Sequence, residues 1–244
     1  MKNFLRALFQ KILGYDNYLF LFSLFCIERM NWGKYEQSFR YFLNIVSEDG
    51  VLLDIGANIG FMSIAMAKKF PGKQVIAFEP IPANSNTIKK IIRWYKISNV
   101  QLLEVALGNA NEKIDMVTPI IKNSKRQGLS HVLQANNTEA WNTGEVFSVP
   151  MYKLDDIELQ NIKQKIAAIK MDVENYEFEV LCGATSLIRK NKPIVYAELW
   201  KNENRVKCIN YFKEMEYSVK IFDGTSLVNF TNQEETNFFF LPNM

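Results

Sequence analysis

The chain is poor in histidine and cysteine and has no large excess of charge of either sign. Its 244 residues include one His and three Cys. Cys26, Cys182 and Cys208 are scattered singly, which excludes a cysteine-rich metal site and a disulfide framework and indicates free thiols in a reducing cytoplasm. Lys and Arg number 29 against 26 Asp and Glu, a net charge of +3. This near balance lacks the basic footprint of a nucleic-acid-binding protein, so we expect a cytoplasmic protein with no nucleic-acid partner.

Long hydrophobic runs are also missing, since no stretch of about 18 uncharged apolar residues occurs. We therefore expect no membrane span. Residues 1–14 nevertheless combine three basic residues and no acidic one with an apolar helical face, which is typical of an interfacial helix at the inner face of a membrane. The apolar side chains of that face are Phe4, Leu5, Leu8, Phe9, Ile12 and Leu13. The alternative, which we favour, is that this segment and the run 18–27 are helices packed on the main domain.

A glycine-rich phrase follows the first strongly apolar run of the central region. The run 51–53 leads into Asp54-Ile-Gly-Ala-Asn-Ile-Gly60, and residues 61–68 then show apolar positions at helical spacing. This order predicts a strand, a tight turn and a helix, with glycines where a ligand approaches bare backbone. A second strand, 74–78, delivers Glu79 to its carboxyl end, where a carboxylate can accept hydrogen bonds from ribose hydroxyls.

The glycine spacing distinguishes between nucleoside cofactors. A dinucleotide fingerprint reads G-x-G-x-x-G, whereas this chain has G-x-x-x-G preceded by Asp54, whose charge would repel a pyrophosphate but suits an ammonium group. S-adenosylmethionine fits this glycine spacing and the position of Asp54 better than NAD does. The alternative is that the segment binds no cofactor and is only a glycine-rich turn followed by a surface glutamate. The candidate cofactor-binding residues are Asp54, Gly56, Ala57, Asn58, Gly60, Phe61, Ser63, Glu79, Pro80, Ala106 and Leu107.

Strand and helix patterns alternate along the rest of the chain, which predicts a doubly wound parallel α/β sheet. We expect residues 1–48 to be an N-terminal helical extension and residues 49–244 one domain, with an inserted hairpin and substrate loop at 109–150. The predicted strands after the second are 100–107, 166–172, 193–198, 217–222 and 237–241, the last two forming a hairpin edge, and the predicted helices are 82–96, 177–190, 202–215 and a stretch starting at 154.

Three phrases in this order resemble the FkbM family of S-adenosylmethionine-dependent methyltransferases. They are Asp54 to Gly60, Phe78-Glu79-Pro80, and Ile169-Lys-Met-Asp-Val-Glu-Asn-Tyr-Glu177 continuing to Gly183, so the resemblance covers roughly residues 50–200. It implies a class I methyltransferase fold, a seven-stranded Rossmann-like sheet with the last strand antiparallel, and methylation of hydroxyls on sugars, glycolipids or polyketides. Two departures stand out: Asn175 replaces the usual glycine, and Leu129-Ser-His131 replaces the usual Ser-Ser pair.

Acidic residues gather at the carboxyl ends of the fourth and fifth predicted strands. Asp172, Glu174 and Glu198 should lie at the same sheet edge as Asp54 and Glu79, which makes the first three our catalytic candidates. Asp172 is the first choice as the base or as the group that orients the acceptor hydroxyl. The same three carboxylates could hold a divalent ion that lowers the pKa of the acceptor hydroxyl. Clusters of acidic residues at strand ends are more often helix caps or partners in ion pairs, for example with Lys170. We therefore predict no metal.

The polar insertion offers further candidates, each with a structural alternative. One is His131, which is either a catalytic base or a solvated side chain. A basic group either binds a phosphate of the substrate or forms a charged loop, and it consists of Lys122, Lys125 and Arg126. Two aromatic side chains either stack on a sugar ring or cover the core, namely Trp141 and Trp200.

We expect an O-methyltransferase acting on a sugar hydroxyl of a glycan, glycolipid or nucleotide-sugar. The alternatives are methylation of another small molecule or of RNA, and a non-catalytic nucleoside-binding module.

Overall fold

The computed structural model describes residues 2–33, 35–46, 49–133, 141–157 and 164–243. The helices are α1 (Lys2–Leu13), α2 (Tyr15–Asn31), α3 (Gln37–Ile45), α4 (Phe61–Lys69), α5 (Pro82–Trp94), α6 (Glu177–Cys182), α7 (Thr185–Asn191) and α8 (Glu203–Glu214). The strands are β1 (Val51–Ile55), β2 (Val75–Phe78), β3 (Val100–Leu103), β4 (Ala106–Leu107), β5 (Glu112–Ile121), β6 (Ser124–Lys125), β7 (His131–Val132), β8 (Gly144–Tyr152), β9 (Ile166–Met171), β10 (Ile194–Glu198), β11 (Tyr217–Phe222), β12 (Leu227–Asn229) and β13 (Asn237–Pro242).

A mixed sheet with helices on both faces forms the centre of the fold. Its strand order is β12-β11-β13-β10-β9-β1-β2-β3, with neighbours among β10, β9, β1, β2 and β3 all parallel. Strands β1, β2 and β9 are buried along their whole length, as expected of parallel strands covered on both faces. The prediction of a doubly wound α/β fold is confirmed, but the described residues contribute eight strands to this sheet where seven were expected.

The last two predicted strands pair antiparallel at one side of the sheet, as expected, but a short extra strand lies outside them. Strand β13 pairs antiparallel with both β10 and β11, so it lies inside the sheet, and the turn at Asp223–Gly224 leads into the extra edge strand β12. Strand β13 carries three consecutive buried rings, Phe238, Phe239 and Phe240. Both faces of this strand are therefore covered. The antiparallel direction of this last strand matches the expectation.

The predicted third strand is split between two sheets. Strand β3 ends at Leu103, and β4 pairs in parallel with β8 in a second sheet ordered β4-β8-β5-β6, with β7 on β5. Strands β5 and β8 pair antiparallel from Glu112 opposite Met151 to Pro119 opposite Gly144. Part of the predicted substrate loop lies outside the described residues, namely 134–140. The same holds for part of the predicted helical stretch after Leu154, namely 158–163, and Leu154–Asp156 forms one 3-10 turn.

The N-terminal helices differ in how far they pack on the sheet domain. Helix α2 buries Leu19 and Ile27, and the Ser23 hydroxyl donates to the carbonyl of Ile59 at 2.8 Å. Helix α1 instead leaves apolar side chains in solvent, with Phe4 70% and Ile12 68% exposed. Among the described residues, no helix is long and apolar enough to span a bilayer. The boundary at residue 48 stays a prediction, because residues 47 and 48 lie outside the described ranges.

A close approach between two loops makes Gly183 a sensitive position. A Cβ on Gly183 would lie 1.9 Å from the carbonyl oxygen of Gly108, whereas one on Gly72 would have no neighbour within 4 Å. We expect Gly183→Ala to lower the free energy of unfolding by about 1–3 kcal/mol, the usual cost of overpacking. The control Gly72→Ala should change it by less than about 0.5 kcal/mol. Urea unfolding measures both, and equal effects would contradict the contact.

Candidate active site

A buried ion pair joins the ends of two adjacent strands. Asp54 on β1 lies opposite Lys170 on β9, and the Lys170 ammonium is 3.2 Å from Asp54 Oδ1, 2.8 Å from the Gly56 carbonyl and 4.0 Å from Asp172 Oδ2. Burial disfavours the charged ammonium, but Asp54 and Asp172 outweigh it and raise the pKa of Lys170. Ser63 donates to Asp54 Oδ2 at 2.5 Å. Asp54 and Ser63, both predicted to bind cofactor, are therefore buried supports of the loop.

The two glycines of the turn are required by the protein's own packing. Gly56 has φ 74°, and a Cβ there would lie 1.8 Å from the carbonyl oxygen of Asp172. Gly60 has φ 80°, and its Cβ would lie 2.8 Å from Ile88 Cγ1. Our sequence argument assigned these glycines to the approach of a ligand. The contacts show that they also let the β1 turn approach the β9 turn and helix α5.

Glu79 lies at the end of β2 and is held by three donors. Its Oε2 accepts from the Asn58 backbone N–H at 2.7 Å, and its Oε1 accepts from the Ile81 N–H at 2.9 Å and the Asn84 amide at 3.2 Å. Burial raises the pKa of Glu79 to about 7, against the effect of these hydrogen bonds. The carboxylate is thus fixed in place at the wall of a cavity.

This first cavity brings together six of the eleven predicted cofactor residues: Gly56, Asn58, Glu79, Pro80, Ala106 and Leu107. Three oxygens of its lining residues, Asn58 Oδ1, Asn84 Oδ1 and Gln127 Oε1, are buried without a hydrogen-bond partner among the described residues. An unsatisfied buried acceptor costs about 1–3 kcal/mol. The cavity therefore suits a ligand rich in N–H and O–H donors, such as a nucleoside. Sequence reasoning missed Asn84 and Gln127, which no motif marks.

A second cavity adjoins the first and shares Asn58, Gln127, Gly128 and Asp172 with it. Two more predicted residues, Ala57 and Phe61, line the second cavity, as does Glu198. Much of the rest of its wall comes from the N-terminal segment, namely Arg6, Phe22, Cys26, Tyr35 and Glu36. The sequence analysis assigned no site role to any of these five residues.

The three catalytic candidates occupy different parts of the two cavities. Glu174 lines the first, Glu198 the second and Asp172 both. Burial raises the pKa of all three carboxyls, that of Glu174 to about 9 and that of Glu198 to about 7, while Lys170 opposes the rise at Asp172. Within the described ranges no three His, Cys, Asp or Glu residues are close enough to hold a metal ion.

The backbone beside these carboxyls is unusual. Glu174 has φ 54° and Asn175 has φ 71°, so two consecutive non-glycine residues adopt left-handed conformations. Asparagine tolerates this region better than most residues, which explains how it replaces the glycine of the family pattern. Such conformations cluster at functional sites.

The side chain of His131 is more buried than expected for a residue of the polar insertion. His131 is buried, with Nδ1 2.8 Å from the Leu129 carbonyl and Nε2 2.7 Å from Asn142 Oδ1, so the expectation of a solvated side chain is wrong. Lys125 forms an ion pair with Glu145, and of the three basic residues of the loop it is Arg126 that lines the second cavity.

The two tryptophans that sequence analysis singled out lie against each other. The ring centroids of Trp141 and Trp200 are 6.2 Å apart in an edge-to-face arrangement. Their mutual packing favours the structural alternative to sugar stacking.

The fold is that of class I methyltransferases, with two adjoining cavities at the carboxyl edge of the sheet, and comparison of the chain with known proteins identifies its family. The family model described as the methyltransferase FkbM domain matches residues 54–221. The chain belongs to the FkbM methyltransferase family. In the crystal structure of methyltransferase FkbM from Methylobacillus flagellatus KT, the matching fold covers 79% of this chain and 44% of that one, with a TM-score of 0.54 at 18% identity.

Further similarities are more distant or partial. The chain is 28% identical over 148 residues to Methyltransferase 1 of Beauveria bassiana and 23% identical over 166 residues to the AMB antimetabolite synthetase AmbE of Pseudomonas aeruginosa. These matches cover 56% and 57% of the chain but only 59% and 8% of those relatives. The crystal structure of SMU.1697c from Streptococcus mutans, in complex with SAH, has a TM-score of 0.50 at 11% identity and covers 84% of this chain and 94% of that one.

The raised carboxyl pKa values predict an unusual pH dependence of stability. Burial raises the pKa of Glu79, Glu177 and Glu198 to about 7, so between about pH 5 and 7 the folded state binds more protons than the unfolded state. The ligand-free protein should therefore lose stability as pH rises through this window, by about 1.4 kcal/mol per pH unit for each extra proton bound. Urea unfolding from pH 5 to 8 measures this slope.

The matched variants are Glu198→Gln, which should make the slope shallower, and Glu104→Gln, which should leave it unchanged. Hydrogen bonds from Lys89 and Ser85 lower the pKa of Glu104, so this group titrates below the window. A stability that stays level or rises between pH 5 and 7 would contradict the raised pKa values.

Proposed function

We propose that this protein is an S-adenosylmethionine-dependent O-methyltransferase whose acceptor is a hydroxyl of a sugar in a glycan, glycolipid or nucleotide-sugar. The observation that carries the proposal is the meeting of two cavities at Asp172. One cavity presents acceptors suited to a nucleoside, and the other has charged walls and borders on the same carboxylate.

The first cavity fits the cofactor by the chemistry of its walls. Glu79 faces it with a fixed carboxylate suited to ribose hydroxyls, and the unpartnered oxygens of Asn58, Asn84 and Gln127 suit the amino groups of adenine and methionine. Apolar side chains there, such as Val105 and Leu107, suit the adenine ring. The SAH bound to SMU.1697c supports the same class of ligand for this fold. When bound, the cofactor supplies a methyl carbon activated by its sulfonium.

The residues around the second cavity would hold the acceptor and take its proton. The Asp172 carboxylate would accept the hydroxyl proton as the acceptor oxygen takes up the methyl group, and the demethylated sulfur nucleoside would be the leaving group. Burial raises the pKa of Asp172, which makes it a stronger base than a solvated aspartate. Glu198 and Lys170 line the same cavity and help to orient the hydroxyl. The larger part of the rate gain in this scheme comes from collinear positioning.

Sugars are the favoured acceptor class because the walls of the second cavity are rich in charged hydrogen-bonding groups. Carboxylates and guanidinium groups are good partners for the many hydroxyls of a polyol. Methylation of RNA is the weaker alternative, since a net charge of +3 offers little attraction for a polyanion. A non-catalytic binding module would be expected to bind the cofactor without turnover.

Calorimetry with S-adenosylmethionine, S-adenosylhomocysteine and NAD tests the proposal. We expect micromolar binding of the first two and none of NAD. Glu79→Gln should weaken binding by about tenfold or more, because it loses charge-assisted hydrogen bonds. Asp172→Asn should still bind S-adenosylmethionine, less tightly because a negative charge beside the sulfonium is lost, and should lose transfer of labelled methyl groups to a panel of sugars. Failure of wild-type protein to bind either sulfur nucleoside would refute the proposal, and full activity of Asp172→Asn would refute the role of that residue.

We also propose that α1 rests on the inner, anionic face of a membrane. Its described surface exposes Phe4, Leu5, Leu8, Phe9 and Ile12, and the segment has basic but no acidic residues. The free thiols Cys26, Cys182 and Cys208 suit the reducing cytoplasmic side.

Flotation with phosphatidylcholine–phosphatidylglycerol vesicles tests this placement. The variant Phe4→Gln/Ile12→Gln should reduce the bound fraction by about tenfold or more, since each buried apolar side chain contributes roughly 1.5–3 kcal/mol. Val206→Gln is the matched control, because Val206 is 57% exposed on α8. Equal binding of both variants would refute the membrane contact, and a dimer lost only in the α1 variant would assign this face to self-association.

A further inference from the structure

The second cavity has two arginines in its wall. Arg6 comes from α1, and Arg126 precedes the 3-10 turn Gln127–Leu129 of the insertion. The same wall carries carboxyl groups, among them Asp172 and Glu198. Charges of both signs therefore border one cavity.

A neutral side chain holds one of the two guanidinium groups. Arg126 Nη2 donates to Asn3 Oδ1 at 2.5 Å, and the charges of both arginines oppose the rise that burial causes in the pKa of Tyr18. Within the described ranges neither arginine forms an ion pair with a carboxylate. Arg126 Nε is buried and has no hydrogen-bond partner there. A guanidinium normally satisfies its donors with carboxylate or phosphate oxygens when these are within reach.

The two arginines also repel each other. Burial and then the charge of Arg6 lower the pKa of Arg126, so the pair is close enough to interact unfavourably without a ligand. An anion between the two guanidinium groups would cancel this repulsion.

We propose that the acceptor carries an anionic group, a phosphate or a carboxylate, that Arg6 and Arg126 bind while its reactive hydroxyl faces Asp172. This inference rests on the proposed methyltransferase function and narrows its acceptor class to acidic or phosphorylated sugars. The carboxylates near Asp172 repel the anionic end, so the acceptor enters in one orientation. Because Arg6 lies on α1, that helix contributes directly to acceptor selection.

Binding of simple ligands to the full chain saturated with S-adenosylhomocysteine tests the inference. Glucose 1-phosphate, glucuronate and inorganic phosphate serve as anionic probes, and glucose is the neutral control, all at equal ionic strength. We expect the better anionic sugar to bind at least about tenfold more tightly than glucose, and the two sugars together distinguish phosphate from carboxylate. The NMR signal of the Arg126 Nε–H, identified by its loss in Arg126→Gln, should move on saturation with the preferred anion.

Matched variants complete the experiment. Arg6→Gln and Arg126→Gln should each weaken the anionic sugar about tenfold towards the affinity of glucose, whereas Lys11→Gln, an exposed basic position on the same helix, should not. Equal binding of charged and neutral ligands, an unmoved Nε–H signal, or an equal loss in Lys11→Gln would overturn the inference. If Arg126→Gln does not fold, Arg6→Gln and the comparison of charged with neutral sugars on wild-type protein still test whether the arginines bind an anionic group.

Failure of S-adenosylhomocysteine to bind wild-type protein would instead refute the methyltransferase proposal. The anion titrations, repeated on the ligand-free protein, then decide whether the arginine pair is an anion site.

Discussion

The geometry of the site depends on the contacts that the buried ammonium of Lys170 makes. Asp54 is fully buried at the end of β1, and a lone carboxylate there would be very costly without an opposite charge. The same ammonium binds the Gly56 carbonyl and approaches Asp172, so it ties the turn after β1 to the end of β9. Because Gly56 packs directly against the Asp172 carbonyl, a displacement of Lys170 would move both turns and hence the boundary between the two cavities.

The two cavities are built from different parts of the chain. The first is formed chiefly by the carboxyl edge of the sheet and by the insertion, whereas the second takes much of its wall from the residues before β1. That N-terminal segment is fastened by the Ser23 bond to Ile59 and by the contact between the Ser38 and Tyr196 hydroxyls, 2.9 Å apart. A change in the N-terminal segment can therefore alter what the second cavity accepts while leaving the nucleoside cavity intact.

The sequence predicted what depends on neighbouring residues and missed what depends on distant ones. The turn from Asp54 to Gly60 and the placement of Glu79 follow from strand–turn–helix patterns that are complete within about thirty residues. The pairing of β11 with β13 follows the prediction, whereas the second neighbour of β13, strand β10, and the extra edge strand β12 depend on contacts that no local signal marks. Glu36 and Arg6 reach the second cavity only through the packing of α1 to α3, for which no motif exists.

The charge balance of the site links binding to chemistry. Several carboxyl groups, among them Asp172, Glu174 and Glu198, surround one buried ammonium, and burial raises the pKa of each of them. A cation placed beside them favours the charged carboxylate and lowers these pKa values. The sulfonium and ammonium of the proposed cofactor would supply such charge next to Asp172. Binding of the cofactor would thus favour the charged form of Asp172, which is the form that can accept the hydroxyl proton.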